Sequence, residues 1–336
     1  MTSAPVLVLD DLSVRFGTAT VLDGVSLHIA RGETLALIGE SGSGKSVTAL
    51  AVMGLLRGGT VSGGRIMLTG RGGQRDLARL PEREMRHLRG GEIAMIFQEP
   101  MSALNPLMRI GAQILESLTL HRPDLRTPSR RREEAAALLA QTGIADPPRA
   151  LRAFPHELSG GMRQRVMIAM AFCASPALLI ADEPTTALDA ATRGRILALI
   201  RAMAASHGTA TLFITHDFGA AAAVADRAAV LYAGRLLEDG PIAAVLDSPA
   251  HPYTQGLIAS LPDPAALHPD ERGRQRLHGM PGTVPTPGRR PEGCVFQPRC
   301  PIARPACTAP MRAGSGALRP LPGGRRAACL ALETAP

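Results

Sequence analysis

The chain has 336 residues, 45% of them hydrophobic, with 37 Lys and Arg against 29 Asp and Glu, a net charge of +8. That is enough for two domains, or one large domain with an appendage. No apolar run approaches the roughly 18 residues of a membrane helix, and the start MTSAPVLVLDD lacks the basic and apolar regions of a signal peptide, so the cytosol is the expected compartment. Aromatics at 3% and no Trp argue against a base-stacking platform. The basic excess then fits nucleotide, nucleic-acid phosphate or an anionic lipid surface, and by itself chooses none of them.

Residues 5–33, PVLVLDDLSVRFGTATVLDGVSLHIARGE, alternate apolar and polar side chains around turn glycines Gly17 and Gly24. The pattern predicts two or three antiparallel strands. Phe16, at the end of one of them, is by default a core aromatic; its alternative is stacking on an adenine ring. Residues 33–39, ETLALIG, predict a short buried strand, and residues 46–56 carry apolar side chains at helical spacing. Between them stands GESGSGKS, residues 39–46, which fits G-x-x-x-x-G-K-[ST], a loop whose backbone N–H groups wrap nucleotide phosphates. Gly42 and Gly44 let the backbone approach the phosphates, Lys45 would reach the β- and γ-phosphates, and Ser46 would ligate magnesium. A strand before it and a helix after it are the context the motif demands.

Residues 61–72 predict a hairpin, residues 80–90 a short charged helix, and EIAMIFQEP, residues 92–100, a buried strand with Gln98 at its polar tip. From Asn105 to about Phe154 the pattern is helical, broken by prolines between Pro123 and Pro128, as in a helical insert between strands. HELSGGMRQRVMIAMAFCASP begins with a glycine turn at residues 159–161 and runs into an apolar helix. ALLIADEP predicts a buried strand ending in Asp182 and Glu183, and ATLFITHD another ending in His216, with an amphipathic helix between them. RAAVLYAGRLLEDG predicts a hairpin. Buried strands alternating with helices imply a mainly parallel sheet with ligands at its C-terminal ends. From Ser248 the composition turns to Pro, Gly and Arg, with four of the five cysteines, which places a boundary near Pro249 and a small loop-rich appendage beyond it.

Asp182 is placed to hold magnesium, through water or Ser46, and Glu183 to polarise the attacking water. His216 can hydrogen-bond the γ-phosphate, and Gln98 can reach the metal or the water. Ser159, Gly160 and Gly161 open a helix and form a second, incomplete anion site. Two incomplete sites are explained if two chains meet head-to-tail, each nucleotide lying between one phosphate loop and the other chain's Ser-Gly-Gly turn.

With these residues in hand, the chain resembles the ATP-binding subunit of ABC transporters over nearly its whole length. The fold class this implies is α/β: a P-loop NTPase cassette with a mainly parallel sheet core, an antiparallel β subdomain and a helical subdomain. A small cysteine-containing appendage follows. The implied division is 1–248 for the nucleotide-binding domain, its helical subdomain about 99–165, and 249–336 for an oligopeptide-transporter-type extension. The resemblance implies that Phe16 stacks on adenine and that Gly39, Glu40, Ser41, Gly42, Ser43, Gly44, Lys45, Ser46 and Val47 form the Walker A site. Gln98 becomes the Q-loop residue, catalytic and metal-facing. Ser159, Gly160, Gly161 and Gln164 belong to the signature at residues 158–164. Asp182 and Glu183 are the Walker B pair, residues 187–189 with Asp189 the D-loop, and His216 the switch histidine.

FQEPMSALNP, SPAHPYTQGLIASLP and GCVFQPRCPIARPAC are similar to the D-type ATPases of the dipeptide/oligopeptide/nickel importer branch. That likeness implies ATP hydrolysis driving uptake of di- or oligopeptides or similar small solutes, with a nickel or metallophore importer as the alternative. Implied partners are a related F-type ATPase, two membrane permeases and an extracytoplasmic solute-binding protein. The chain would lie peripherally on the cytoplasmic face of the inner membrane and bind no nucleic acid. A soluble ABC ATPase acting on nucleic acid fits less well, because the span from Gln98 to Ser159 is too short for a coiled coil and the motif set occurs once.

Cys173 lies in an apolar helix and reads as a packing residue. Cys294, Cys300, Cys307 and Cys329 follow C-x5-C-x6-C-x21-C in a segment too poor in apolar residues to make its own core. A reducing cytosol disfavours disulfides. Zinc usually takes close C-x2–4-C pairs, absent here, while iron–sulfur clusters accept irregular spacings. Likeness to D-type tails implies a [4Fe–4S] cluster, with Zn2+ as the alternative.

Overall fold

The computed structural model describes residues 4–98, 103–186, 188–261, 280–310 and 318–334. Residues 99–102 and 262–279, Ala187 of the expected D-loop, and Pro100 of the FQEP run lie outside the described residues.

The N-terminal alternation makes β1 (Leu7–Phe16) and β2 (Ala19–Ile29), paired antiparallel with Leu7, Leu9, Leu12 and Val14 turned into the core. The other edge of β1 takes β4 (Gly59–Gly70), which pairs with β5 (Gly73–Asp76), giving a four-stranded antiparallel sheet ordered β2-β1-β4-β5. Residues 61–72 are therefore not a hairpin of their own. β4 is one 12-residue strand, and the chain reverses only at Arg71 and Gly72. Gly64, at φ +80°, lies where a Cβ would meet the Asp10 and Asp11 carbonyls at 2.4 Å, and the register shifts beside it. Gly63 and Gly64 mark a bulge rather than a turn.

β3 (Thr34–Ile38), β6 (Ile93–Ile96), β7 (Leu178–Asp182), β8 (Ala210–Thr215) and β9 (Arg227–Tyr232) run parallel in a second sheet. Every residue of β3, β7 and β8 is buried, which is why their sequences are near-continuous apolar runs. β10 (Arg235–Pro241) turns back along β9, and β11 (Arg319–Leu321) and β12 (Arg325–Ala327) extend that edge to an order of β11-β12-β10-β9-β3-β8-β7-β6. The C-terminal ends of β3, β6, β7 and β8 deliver Gly39, Gln98, Asp182 with Glu183, and His216 to one rim.

Among the described residues the helices are α1 (Lys45–Val52), α2 (Glu82–Leu88), α3 (Ile110–His121), α4 (Pro128–Gln141), α5 (Pro147–Arg152), α6 (Gly160–Phe172), α7 (Ala190–His207), α8 (Phe218–Val224), α9 (Ile242–Asp247) and α10 (Pro252–Ala259). Their starts are set locally: Thr127, Asp146, Ser159, Asp189 and Asp217 each accept a hydrogen bond from the amide three residues on. α3 to α6 surround a core of their own in which Ile110, Ile114, Leu118, Leu138 and Leu139 meet Val166 and Phe172. This is the helical insert read from the chain.

The segment beyond Pro249 packs on the main core. Tyr253, Val295 and Phe296 are buried in the same cluster as Leu231 and Tyr232, and the Tyr232 ring lies 4.5 Å from Tyr253 and 5.4 Å from Phe296. Glu238, buried on β10, accepts the Ala250 and His251 amides at 2.8 and 2.9 Å. His251 accepts the Tyr253 amide at 3.0 Å and is fully enclosed, which pulls its pKa from 6.5 down to about 3. The folded state keeps it neutral while the unfolded chain protonates below 6.5, so stability falls as pH drops from 6.5 toward 3. Urea unfolding at pH 7.5 and 5.5 is expected to show the protein losing about 1.4 kcal/mol more than a His251→Asn variant. An identical pH dependence in the two would refute a buried neutral histidine.

Candidate nucleotide site

The phosphate loop leaves β3 at Gly39, where a Cβ would lie 2.2 Å from the Leu231 carbonyl, so no other residue fits. It enters α1 through Gly44, at φ +109°, where a Cβ would strike Leu22 at 2.6 Å. Lys45 is buried and donates from Nζ to the carbonyls of Gly39 at 2.7 Å and Glu40 at 2.9 Å. Burial holds its pKa below the usual lysine value, against the pull of Glu183, Asp182 and Glu40. The loop forms one wall of a cavity of about 820 Å3 that also meets Gln98, Glu183 and His216.

Glu183 is the centre of the opposite wall. Its backbone is at φ +45°, a strained value for a side chain of this size, and its amide is tied to the Ile214 carbonyl at 2.9 Å. Its carboxylate receives Gln98 Nε2 at 3.2 Å and the Thr186 hydroxyl at 3.0 Å, with His216 Nδ1 at 3.0 Å. Burial pushes the carboxyl up, but hydrogen bonds from His216 and Thr186 and the positive charge nearby outweigh it and leave it below the ordinary glutamate value. Asp182 behaves oppositely. Burial and the neighbouring Glu183 charge raise it, against a hydrogen bond with Ser46. The Asp182 and Ser46 oxygens are hard donors side by side, the set a magnesium ion takes, and the glycine-rich loop leaves amides for phosphate.

Other expected residues lie apart from this cavity. Phe16 closes β1 with its ring against Gly59, where a Cβ would meet it at 2.6 Å, and Val21 rather than Phe16 lines the cavity. Ser159, Gly160 and Gly161 are on the surface at the start of α6, and the Ser159 hydroxyl accepts the Met162 amide at 3.3 Å. Gln164 does not face a nucleotide surface. One turn into α6 its side chain points inward, is fully buried and donates to the Pro184 carbonyl at 2.7 Å, tying the signature helix to the chain just beyond Glu183. Asp189 caps α7 by accepting the Thr192 amide at 2.9 Å, which holds its carboxyl below the usual range.

Three contacts have no counterpart in the motif reading. Thr186 holds Glu183, the Tyr253 hydroxyl accepts the Glu40 amide, and Arg299 pairs with the Glu40 carboxylate. Their traces in the sequence were Tyr253 in the HPY run at 251–253 and Arg299 in GCVFQPRC, both quoted above without a role.

Cys173 is buried against the Ser117 hydroxyl, as a packing residue should be. None of the five cysteines is disulfide-bonded. Burial raises the Cys294 thiol, and Cys307, Cys300 and Cys329 are near enough to raise it further. The Cys294 amide donates to the Cys307 carbonyl at 2.9 Å. Among the described residues, no three His, Cys, Asp or Glu side chains are grouped to hold a metal ion.

The pattern of the ABC transporter family matches residues 22–186, and that of the oligopeptide/dipeptide transporter C-terminal region matches residues 237–307. A dipeptide transport ATP-binding protein of Escherichia coli, DppD, is 43% identical over 96% of this chain and 95% of its own length. The chain belongs to the ABC transporter ATPases. An oligopeptide transport ATP-binding protein of Bacillus subtilis, AppD, is 44% identical over 85% of this chain and 84% of its own. Among solved structures, the ATP-binding cassette MJ0796, seen as a dimer in a post-hydrolysis state with ADP and Pi, superposes with TM-score 0.61 at 26% identity, covering 70% of this chain and 98% of that one. This ABC ATPase hydrolyses ATP, and its phosphate loop shares one cavity at the rim of the parallel sheet with Gln98, Glu183 and His216. No helix among the described residues is long and apolar enough to cross a membrane.

Proposed function

We propose that this ABC ATPase powers uptake of dipeptides, oligopeptides or similar small solutes. One observation supports the reading: Lys45, Gln98, Glu183 and His216 share a cavity, with Asp182 beside Ser46, and a C-terminal segment of the oligopeptide/dipeptide type packs against the phosphate loop. Its partners are two permeases, a solute-binding protein and a related F-type ATPase, and it works on the cytoplasmic face of the membrane. ATP lies between this chain's phosphate loop and the partner's Ser-Gly-Gly turn, while Ser159, Gly160 and Gly161 serve the partner's nucleotide. Phe97, exposed, lines a cavity of about 230 Å3 together with Met95, Leu104 and Met170, which suits an apolar permease segment.

In proteoliposomes containing the permeases and binding protein, hydrolysis is expected to rise with added peptide. Stimulation by nickel or a metal chelate alone would favour the alternative importer reading, and no stimulation with salt-sensitive DNA binding would favour a nucleic-acid role.

The four C-terminal thiols are assigned to an iron–sulfur cluster rather than zinc. A single zinc ion draws its thiolates to about 3.8 Å of one another at ~2.3 Å bonds, whereas ligands on the corners of a cluster stand further apart. What supports a shared ligand set is that Cys307, Cys300 and Cys329 are near enough to Cys294 to raise its thiol, and the irregular C-x5-C-x6-C-x21-C spacing is what favours a cluster over zinc. When bound, the cluster would cross-link a segment that has little core of its own. Iron and acid-labile sulfide in the purified protein are the expected analysis; zinc without sulfide overturns it.

A further inference from the structure

Glu40, the second residue of the phosphate loop, is held by every polar group it has. Its amide donates to the Tyr253 hydroxyl at 3.0 Å. Its carboxylate takes both terminal nitrogens of Arg299, at 2.7 and 3.1 Å. Its carbonyl accepts from Lys45 Nζ at 2.9 Å and from the Ser43 amide at 3.2 Å. Two of these partners belong to the C-terminal segment, and one is the lysine that meets the phosphates.

Arg299 is itself fixed. Its Nε donates to the Pro281 carbonyl at 2.7 Å, Nη1 also reaches the Tyr232 hydroxyl at 3.3 Å, and the guanidinium lies 5.7 Å from the Tyr232 ring centre and 6.0 Å from that of Phe296. Only 5% of its side chain is exposed. A bidentate guanidinium–carboxylate pair with this little freedom sets an orientation as well as an attraction.

We propose that Arg299 and Tyr253 are positioning residues for ATP binding, which clamp Glu40 so that the C-terminal segment pre-orders the phosphate loop. The need for an outside clamp follows from the loop's composition. Gly39, Gly42 and Gly44 are required by close approaches and positive φ, and glycine loses more backbone freedom on ordering than any other residue. A loop without the clamp spreads over more conformations, and the nucleotide must then supply the ordering free energy. The cost falls on binding. Once ATP is bound, Lys45, Asp182 and Glu183 face it as before, because none of them touches Arg299 or Tyr253 among the described contacts.

The test is steady-state hydrolysis against ATP concentration, in the full chain within its importer complex. Arg299→Gln and Glu40→Gln, which keep most of the side-chain volume, are each expected to raise KM for ATP about tenfold with kcat within about twofold. The double variant should be no worse than either single one, since both remove the same pair. Glu40→Arg combined with Arg299→Glu should recover most of the loss, and Tyr253→Phe should raise KM about threefold. A role in stability alone would lower Tm and leave KM unchanged, or give additive losses with no recovery on charge exchange; either result overturns the clamp. The inference rests on residues 39–46 being the ATP loop, and the unmodified complex separates the two claims. Hydrolysis by it with KM unmoved in the variants faults the clamp alone, and no hydrolysis by it faults the ATPase reading.

Discussion

Glu183→Gln is expected to bind ATP with near-normal affinity and to hydrolyse it at least about 100-fold more slowly. The amide keeps the size of the carboxylate and can still meet Thr186, Gln98 and His216, so the wall of the site stays in place. What it loses is the negative charge proposed to polarise the attacking water. The carboxyl sits below the ordinary glutamate value despite its burial, so the protein has invested hydrogen bonds in keeping it ionised. The deficit should therefore appear in kcat and not in the dissociation constant. Rates in the reconstituted complex, with nucleotide binding measured in parallel, decide it: undiminished turnover would remove Glu183 from the mechanism.

The second large effect is at Lys45. Lys45→Ala should weaken ATP binding by about 100-fold or more, since two charge-assisted hydrogen bonds at about 1.5–3 kcal/mol each are at stake. Its surroundings amplify the loss. The ammonium is buried opposite Glu183, Asp182 and Glu40, and without it these carboxylates face the phosphates with one positive charge fewer between them. Titration with a fluorescent ATP analogue at fixed magnesium is the direct measurement, and an unchanged affinity would mean the phosphates bind elsewhere.

The difference between these two residues and Arg299 shows where sequence reading stops. Lys45, Asp182 and Glu183 were legible because each stands at a fixed offset from an apolar strand, and a strand buried on both faces must end at the rim of the sheet. The helical stretch from Asn105 to about Phe154 was legible because helical spacing, and the proline break between Pro123 and Pro128 that separates residues 110–121 from 128–141, are local signals. Gln164 was misread for an equally local reason. It lies inside the signature stretch, and nothing in the spelling says that one turn into the helix the side chain swings inward to Pro184. Residues 61–72 looked like a hairpin because paired glycines mark turns and bulges alike, and only the Asp10 and Asp11 carbonyls behind Gly64 distinguish the two.

By itself, then, the amino-acid order determined which residues stand at each strand end and the membership of one family of ATPases, because those depend on residues close together in the chain. Only the tertiary structure decided that Glu183 is gripped from three sides and that Arg299, 259 positions away, holds the carboxylate of Glu40. Such contacts depend on which edges the strands add to and which faces the loops cross. A hydrogen bond requires two groups about 3 Å apart, and separation along a chain carries no information about that distance once the chain has folded back on itself.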